Sequence, residues 1–313
     1  MKALVTGGCG FIGSNLVKLL LDKQWEVRII DNLDSGNILN ISGLNVDFFH
    51  GDICSDQDMF RACNNIDVVF HLAASVGRQK SLDNPILDSN VNLIGTLCLL
   101  ENMRKNKVDK IVYSSSAAIF GELISNSIDE THPINPDSPY GVSKLAAEKM
   151  ILAYSQIYQI KAVCLRYFNI YGLNQRYDYY GNVIPIFAYQ LLNDLPITIY
   201  GDGNQTRDFL NVCDVANANY LAATNDQPSD VYNLGSGNSI SINELAKILQ
   251  NISGKNAVIE YLPKRHADVI HCKAKVDKIK DDLGFYPKIN LEDGLKDYLI
   301  WCATNLYNNN IIK

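Results

Sequence analysis

Tyr140 and Lys144 stand four residues apart in the segment Pro139-Tyr140-Gly141-Val142-Ser143-Lys144, a spacing that puts both side chains on one face of a helix. A free tyrosine titrates near pH 10, roughly, and is a poor base at neutral pH unless a cation stabilises its phenolate. Lys144, one turn along, is placed to be that cation. Upstream, Ser114-Ser115-Ser116 follows the apolar run Lys110-Ile111-Val112-Tyr113. A serine hydroxyl at the end of a strand can hold a substrate oxygen while its proton moves. These residues describe a site that takes a proton from an alcohol, which is half of a hydride transfer.

The other half needs a hydride acceptor, and the N-terminal region offers a place for one. Lys2-Ala3-Leu4-Val5-Thr6 reads as a buried strand and Phe11 to Leu21 as an apolar-rich helix. Gly7, Gly10 and Gly13 fall at the turn between them, with Phe11 and Ile12 opening the helix. Glycine there lets the backbone approach a pyrophosphate, and the helix N-terminal amides face its charge. A second strand, Glu26-Val27-Arg28-Ile29-Ile30, ends at Asp31, eighteen residues past Gly13. A carboxylate at that point accepts from both adenosine ribose hydroxyls and repels a 2′-phosphate, so NAD is expected rather than NADP. The third strand, Val46-Asp47-Phe48-Phe49-His50, trails into Gly51-Asp52-Ile53 beside the expected adenine. The fourth, Val68-Val69-Phe70-His71-Leu72, runs into Ala73 and Ala74, small enough for phosphate and ribose to pass close to the backbone.

Composition narrows the setting. With 313 residues and 47% hydrophobic content the chain can bury a large core in two lobes. A net charge of -6, with no Lys/Arg cluster, argues against a nucleic-acid partner. The eight cysteines form no CxxC pair, which suits a reducing compartment. His266, His271 and Cys272 lie close together, but no ligand spacing recurs elsewhere and a metal site is not expected. Neither a signal peptide nor a run long enough to span a bilayer is read, so no membrane is expected and the cytoplasm is the expected location.

Over essentially its full length the chain resembles an extended short-chain dehydrogenase/reductase of the nucleotide-sugar epimerase/dehydratase family. The resemblance is carried by Thr6 to Gly13, Asp31 to Gly36, Gly51-Asp52-Ile53, His71 to Ala74, Asn90 to Thr96, Ser114 to Gly121 and Tyr140 to Lys144. It implies an α/β fold, a Rossmann doubly wound parallel sheet with a smaller α/β substrate-binding lobe. The NAD-binding domain would take residues 1–172, with 207–235 returning to it, and the nucleotide-sugar lobe 173–206 and 236–313. Ser116 matches the family's catalytic Ser/Thr, Tyr140 its base and Lys144 its ribose-binding partner. Gly7, Gly10, Phe11, Ile12, Gly13, Asp31, Asn32, Asp52, Ile53, Leu72, Ala73, Ala74, Asn90 and Tyr167 are the other implied cofactor contacts.

For the activated sugar, the resemblance implies Asn169, Arg207 and Arg265 on the diphosphate, and Val183, Phe187 and Tyr200 around the base. Asp268 would bind a hydroxyl, and Cys272 matches a position whose bulk decides whether a 2-acetamido sugar enters. Arg78 stands near the sugar where the family usually has an apolar residue; it either meets a carboxylate, a ketone oxygen or a phosphate, which points to an unusual sugar such as a uronic acid or a 4-keto-6-deoxy sugar, or turns out to solvent. The family's 4,6-dehydratases carry Asp-Glu directly after the catalytic Ser/Thr. Here Ala117 and Ala118 hold those places, and methyl groups cannot move protons, so dehydration is disfavoured. A UDP-hexose 4-epimerase is the leading expectation. An NADH-dependent reductase of a 4-keto-6-deoxysugar and a non-catalytic dinucleotide-binding regulator stay open, and the family's habit of pairing helices implies a homodimer.

Overall fold

A computed structural model describes residues 1–177, 181–264 and 270–306. β1 (Lys2–Thr6) runs through the glycine turn into α1 (Phe11–Asp22), followed by β2 (Glu26–Asp31), β3 (Asp47–His50), α2 (Asp56–Ala62) and β4 (Val68–His71). Next, α3 (Arg78–Asp83) and α4 (Pro85–Ser89) lead through one wide i→i+5 turn, Asn90–Ile94, into α5 (Gly95–Asn106). The chain continues with β5 (Lys110–Ser116), α6 (Pro139–Tyr158), β6 (Lys161–Tyr167), β7 (Asn169–Tyr171), α7 (Val183–Leu192), β8 (Ile197–Tyr200), β9 (Thr206–Arg207) and β10 (Phe209–Asn211). It ends with α8 (Val212–Thr224), β11 (Asp230–Leu234), β12 (Ile240–Ser241), α9 (Ile242–Ser253), β13 (Ile259–Leu262), α10 (Asp277–Leu283) and α11 (Leu291–Leu306).

Seven parallel strands form the main sheet in the order β11-β6-β5-β4-β1-β2-β3. Helices cover both faces, which is why β1 and β4 read as continuous apolar runs rather than alternating ones. The order reverses between β1 and β4, and in such sheets the ligand crevice opens at the carboxyl ends of the strands beside that reversal. The glycine turn after β1, Ala73 and Ala74 after β4 and Ser116 at the end of β5 all lie along that edge. The serine run is the last part of β5 itself, not a loop beyond it.

Two apolar clusters fill the two faces of this sheet, and a third lies under α7, α9 and α11. β11 joins the sheet beside β6. Cys272, Ala274, Val276, Ile279, Leu283 and Phe285 also pack into the core of the sheet rather than into the third cluster.

The segment around Tyr140 sits where it does for local and tertiary reasons. Ser138 caps α6 by accepting from the Gly141 N–H at 3.2 Å, and Pro139 supplies the preset first turn. Two turns further on, Glu148 and Arg166 are fully out of water and paired through Arg166 Nε at 3.1 Å and Nη2 at 2.7 Å. The Ser115 hydroxyl donates to the same carboxylate at 2.6 Å. Removing one partner of a buried pair strands the other charge, at a cost of about 3–5 kcal/mol. Glu148→Ala should therefore lose about that much stability in guanidinium unfolding, and a Glu148→Leu/Arg166→Met double substitution should recover most of it.

Candidate active site

Ser116 ends β5, and Tyr140 and Lys144 stand one turn apart in the first turns of α6. The Ser116 hydroxyl lies close enough to Tyr140 to lower its raised phenol, and Ser116 Oγ accepts from the Ala118 N–H at 3.2 Å. Burial pushes the Tyr140 phenol up to about 12; the Ser116 hydroxyl holds it down and the Asp88 anion adds to the rise. Lys144 is only 2% exposed, and its ammonium lies 4.3 Å from the centre of the Tyr113 ring. Burial pulls it down to about 7, against the anions of Asp88 and Glu148. Each group thus resists the charge that a proton relay asks of it. A phenolate and an ammonium one turn apart on the same helix face would relieve each other's burial.

Behind them runs a buried polar chain. Asn92 Nδ2 donates to Asp88 at 3.1 Å, Ser143 Oγ at 3.0 Å and the Ser75 carbonyl at 3.0 Å, while Ser143 donates to Asp88 at 2.5 Å. Thr96 donates to the Asn92 carbonyl at 2.6 Å, so His71 Nε2, 2.9 Å away, must carry the proton that Thr96 accepts. His71 Nδ1 then accepts from Thr6 at 2.8 Å. Burial holds this imidazole neutral, down at about 3, with the Lys144 charge a smaller cause.

The cofactor side fits a dinucleotide on three observations. α1 starts at Gly10 with no side-chain cap and no acidic residue in its first turn, leaving its amides to an anionic ligand. At Gly13, an added Cβ would strike the Gly7 carbonyl and lie 2.8 Å from Gly8 Cα, so the helix can pack this close to the turn only with glycine. Asp31, 7% exposed, accepts from the Cys9 N–H at 2.9 Å and the Leu33 N–H at 2.8 Å, which hold it in place at the end of β2. Burial raises its carboxyl and these two N–H groups oppose the rise. Asn32 Nδ2 reaches Asp52 at 3.4 Å, joining the ends of β2 and β3, and Ile53 is buried beside them. Phe11, Ile12, Leu72, Ala73 and Ala74 are partly exposed where the sequence places them.

Two expected cofactor contacts are corrected. Tyr167 is buried, and its hydroxyl is engaged with Asn219 at 3.0 and 2.7 Å, so its side chain has turned into the core. Asn90 is exposed, and the asparagine that turns inward is Asn92. The spacing Tyr140, Lys144, Glu148 already marked a third inward residue on α6, and that signal went unread in the sequence.

On the substrate side, Asn169 is tied to Asp208, its Nδ2 donating to the Asp208 carbonyl at 3.2 Å. Arg207 Nη1 donates to the Thr206 carbonyl at 2.9 Å, and Cys272, 9% exposed, lies close enough for the Arg207 charge to lower its raised thiol. Val183 is partly exposed at the start of α7, and Tyr200 at the end of β8. Phe187 is corrected: at 1% exposure it is core of the third cluster, not a wall for a base. Arg78 is ion-paired with Asp137 at 2.7 Å, three residues ahead of Tyr140. Arg265 and Asp268 lie outside the described residues.

Comparison with known proteins places this geometry. A family model described as GDP-mannose 4,6 dehydratase matches residues 4–298. The chain belongs to the NAD-dependent nucleotide-sugar epimerase/dehydratase family. It is 37% identical over 306 residues to a UDP-glucose 4-epimerase of Halalkalibacterium halodurans, covering 92% of this chain and 91% of that one. The crystal structure of the Thermotoga maritima UDP-glucose 4-epimerase with UDP-glucose superposes with a TM-score of 0.93 at 36% identity, over 98% of this chain and all of that one. A Streptomyces venezuelae dTDP-glucose 4,6-dehydratase with NAD bound also gives 0.93, at 28% identity over both full chains. One fold carries both reactions, so the reaction has to be read from the site.

Lys144 also makes a stability prediction. Its value is depressed in the fold from the ordinary 10.5 to about 7, so below that pH both folded and unfolded chains carry the charge and the burial penalty is borne in full. Between there and the unfolded value the folded chain sheds the proton first, and the penalty fades. In NAD-free protein, Lys144→Met should raise Tm most at pH 6 or so, with the gap to wild type closing toward about pH 10. A gap that stays constant across that range would contradict the assignment.

Proposed function

We propose that this chain is an NAD-dependent UDP-hexose 4-epimerase, acting on UDP-glucose and UDP-galactose or their N-acetyl forms. The observation that carries this reading is the meeting of Ser116, Tyr140 and Lys144 beside Ala117 and Ala118. Deprotonation of one hydroxyl is provided for, and elimination is not. Tyr140, held as phenolate by Lys144, removes the O4 proton while Ser116 donates to the same oxygen. The glycine turn and Asp31 would hold NAD, which would supply a reversible hydride acceptor for C4, able to return the hydride to the opposite face. Between the two transfers the 4-keto sugar turns about its diphosphate linkage, so the nucleotide must be gripped and the sugar left free. Asn169 and Arg207 are proposed to grip the diphosphate, together with Arg265, and Tyr140 finally returns the proton to O4.

The lobes would divide the work, the main sheet holding NAD and the third cluster's elements holding the nucleotide. Cys272 is small, which leaves room for a 2-acetamido group. The Arg78–Asp137 pair presents a guanidinium whose charge is already compensated, which favours a neutral pyranose over a uronate. We place the enzyme in the cytoplasm as a homodimer. Exposed Val142 and Ile157 on α6, with Ile94 at the start of α5, give those helices apolar surface to pair.

The test uses purified protein with no added cofactor, UDP-glucose, UDP-GlcNAc and UDP-glucuronate, and the anomeric proton signals by NMR. Interconversion of the neutral sugars with no net NADH change is expected, with UDP-glucuronate the poorest substrate. Consumption of added NADH by a 4-keto-6-deoxysugar, with no interconversion, would establish a reductase instead. Tyr140→Phe should lower kcat about 10²- to 10⁴-fold, the worth of a positioned base, while leaving UDP affinity within about twofold; full activity in that variant would show that Tyr140 is not the base, and a wild type that binds NAD but turns over no sugar would leave only a dinucleotide-binding role.

A further inference from the structure

We infer that Asp208 is a positioning residue for the substrate's diphosphate: its buried carboxylate preassembles the wall on which Asn169, Arg207 and Cys272 stand. This deepens the nucleotide-sugar reading above and rests on it. Asp208 directly follows Arg207 and is wholly buried. Its Oδ1 accepts from the Ser236 N–H at 2.7 Å and the Ser236 hydroxyl at 2.6 Å. Its Oδ2 accepts from the N–H groups of Gly237 and Ala274, both at 3.0 Å. The Asp208 carbonyl takes the Asn169 N–H at 3.3 Å and Asn169 Nδ2 at 3.2 Å.

One residue thus gathers the first residue of β7, the exit of β11 and the strand-like segment that carries Cys272. Cys272 is fastened a second time, its N–H donating to the Thr206 carbonyl at 3.2 Å. The fit is close: a Cβ on Gly235 would lie 2.8 Å from Asp208 Oδ2. An anion beside a diphosphate site has the wrong sign for attraction, so its use there needs another explanation. Four donors converging on one side chain supply it. Only a carboxylate offers acceptor capacity for all of them, and an isosteric amide would turn N–H toward N–H. Donors aimed at a diphosphate are most effective when their separation is set before the ligand arrives.

Two variants of the NAD-loaded enzyme test this, read by steady-state epimerisation and by calorimetric binding of UDP. Asp208→Asn should raise both KM for the nucleotide sugar and Kd for UDP about tenfold or more, with kcat within about threefold and the NAD content unchanged. Ser236→Ala keeps the anion and removes one donor, and should raise both constants by a smaller factor, about threefold. Tighter UDP binding by Asp208→Asn would show that charge repulsion governs, and would overturn the inference. So would unchanged KM and Kd in both variants, which is what a merely structural aspartate gives once folded. If Asp208→Asn does not fold, Ser236→Ala decides alone. A wild-type protein that binds UDP but interconverts no sugar would sink the epimerase reading, while UDP affinity in the two variants still reads the role of Asp208.

Discussion

The Glu148 carboxylate lies one turn beyond Lys144 on α6, fully buried, where it meets the Arg166 fork and the Ser115 hydroxyl. Those three groups belong to α6, β6 and β5, and Ser115 is the neighbour of Ser116. The pair therefore sets the register of the helix that carries Tyr140 against the strand that carries Ser116. A buried ion pair adds little net stability compared with apolar residues of the same volume. Its value here lies in geometry, because a carboxylate satisfied by a two-pronged guanidinium and a hydroxyl leaves α6 one way to sit. Arg166 also stacks over Phe120, whose own turn follows Ala117 and Ala118.

From that fixed helix the order spreads toward the cofactor. Ser143, Asp88, Asn92, Thr96, His71 and Thr6 pass hydrogen bonds from α6 to the end of β1, where the glycine turn begins. Each buried polar atom on this path has a partner, and such networks are rigid when complete. A hydride donor and acceptor have to meet within a few tenths of an ångström of a productive distance, about 0.5 Å by general experience with designed sites. The chain from Tyr140 to Gly7 is the structure's means of doing so before any ligand binds. Loosening at the sugar end is the complement, since a 4-keto ring has to turn over between two hydride transfers.

Much of this was legible in the sequence because it is local. The glycine turn, Asp31 after β2 and the Tyr140–Lys144 spacing each depend on one turn or one strand end, and all lie where their spacing expects. The errors have long-range causes. Asn90 is implied by the motif resemblance alone, and within the wide turn over Asn90–Ile94 it is Asn92, two residues on, whose side chain is buried by partners from distant segments. Tyr167 and Phe187 carry the right side chains for a ligand, yet the core took them: Asn219 on α8 claims the hydroxyl of one, and α7's apolar face buries the other. Asp208 is illegible for the same reason, since its four donors come from segments far along the chain. Arg78 reads as a free cation in the sequence and gains its counter-charge only when Asp137 folds beside it.

The central claim is that one proton leaves O4 of the sugar and one hydride leaves C4, and that both return, with nothing exchanged at the neighbouring carbons. UDP-glucose deuterated at C4, incubated with the enzyme in ordinary water, tests this directly by NMR and mass spectrometry of the product. The account predicts UDP-galactose that keeps its deuterium at C4 and takes up no solvent hydrogen on carbon. Deuterium moved to C6 with loss of water, or washed out to solvent, would contradict it, because either outcome requires an acid–base pair that Ala117 and Ala118 do not supply.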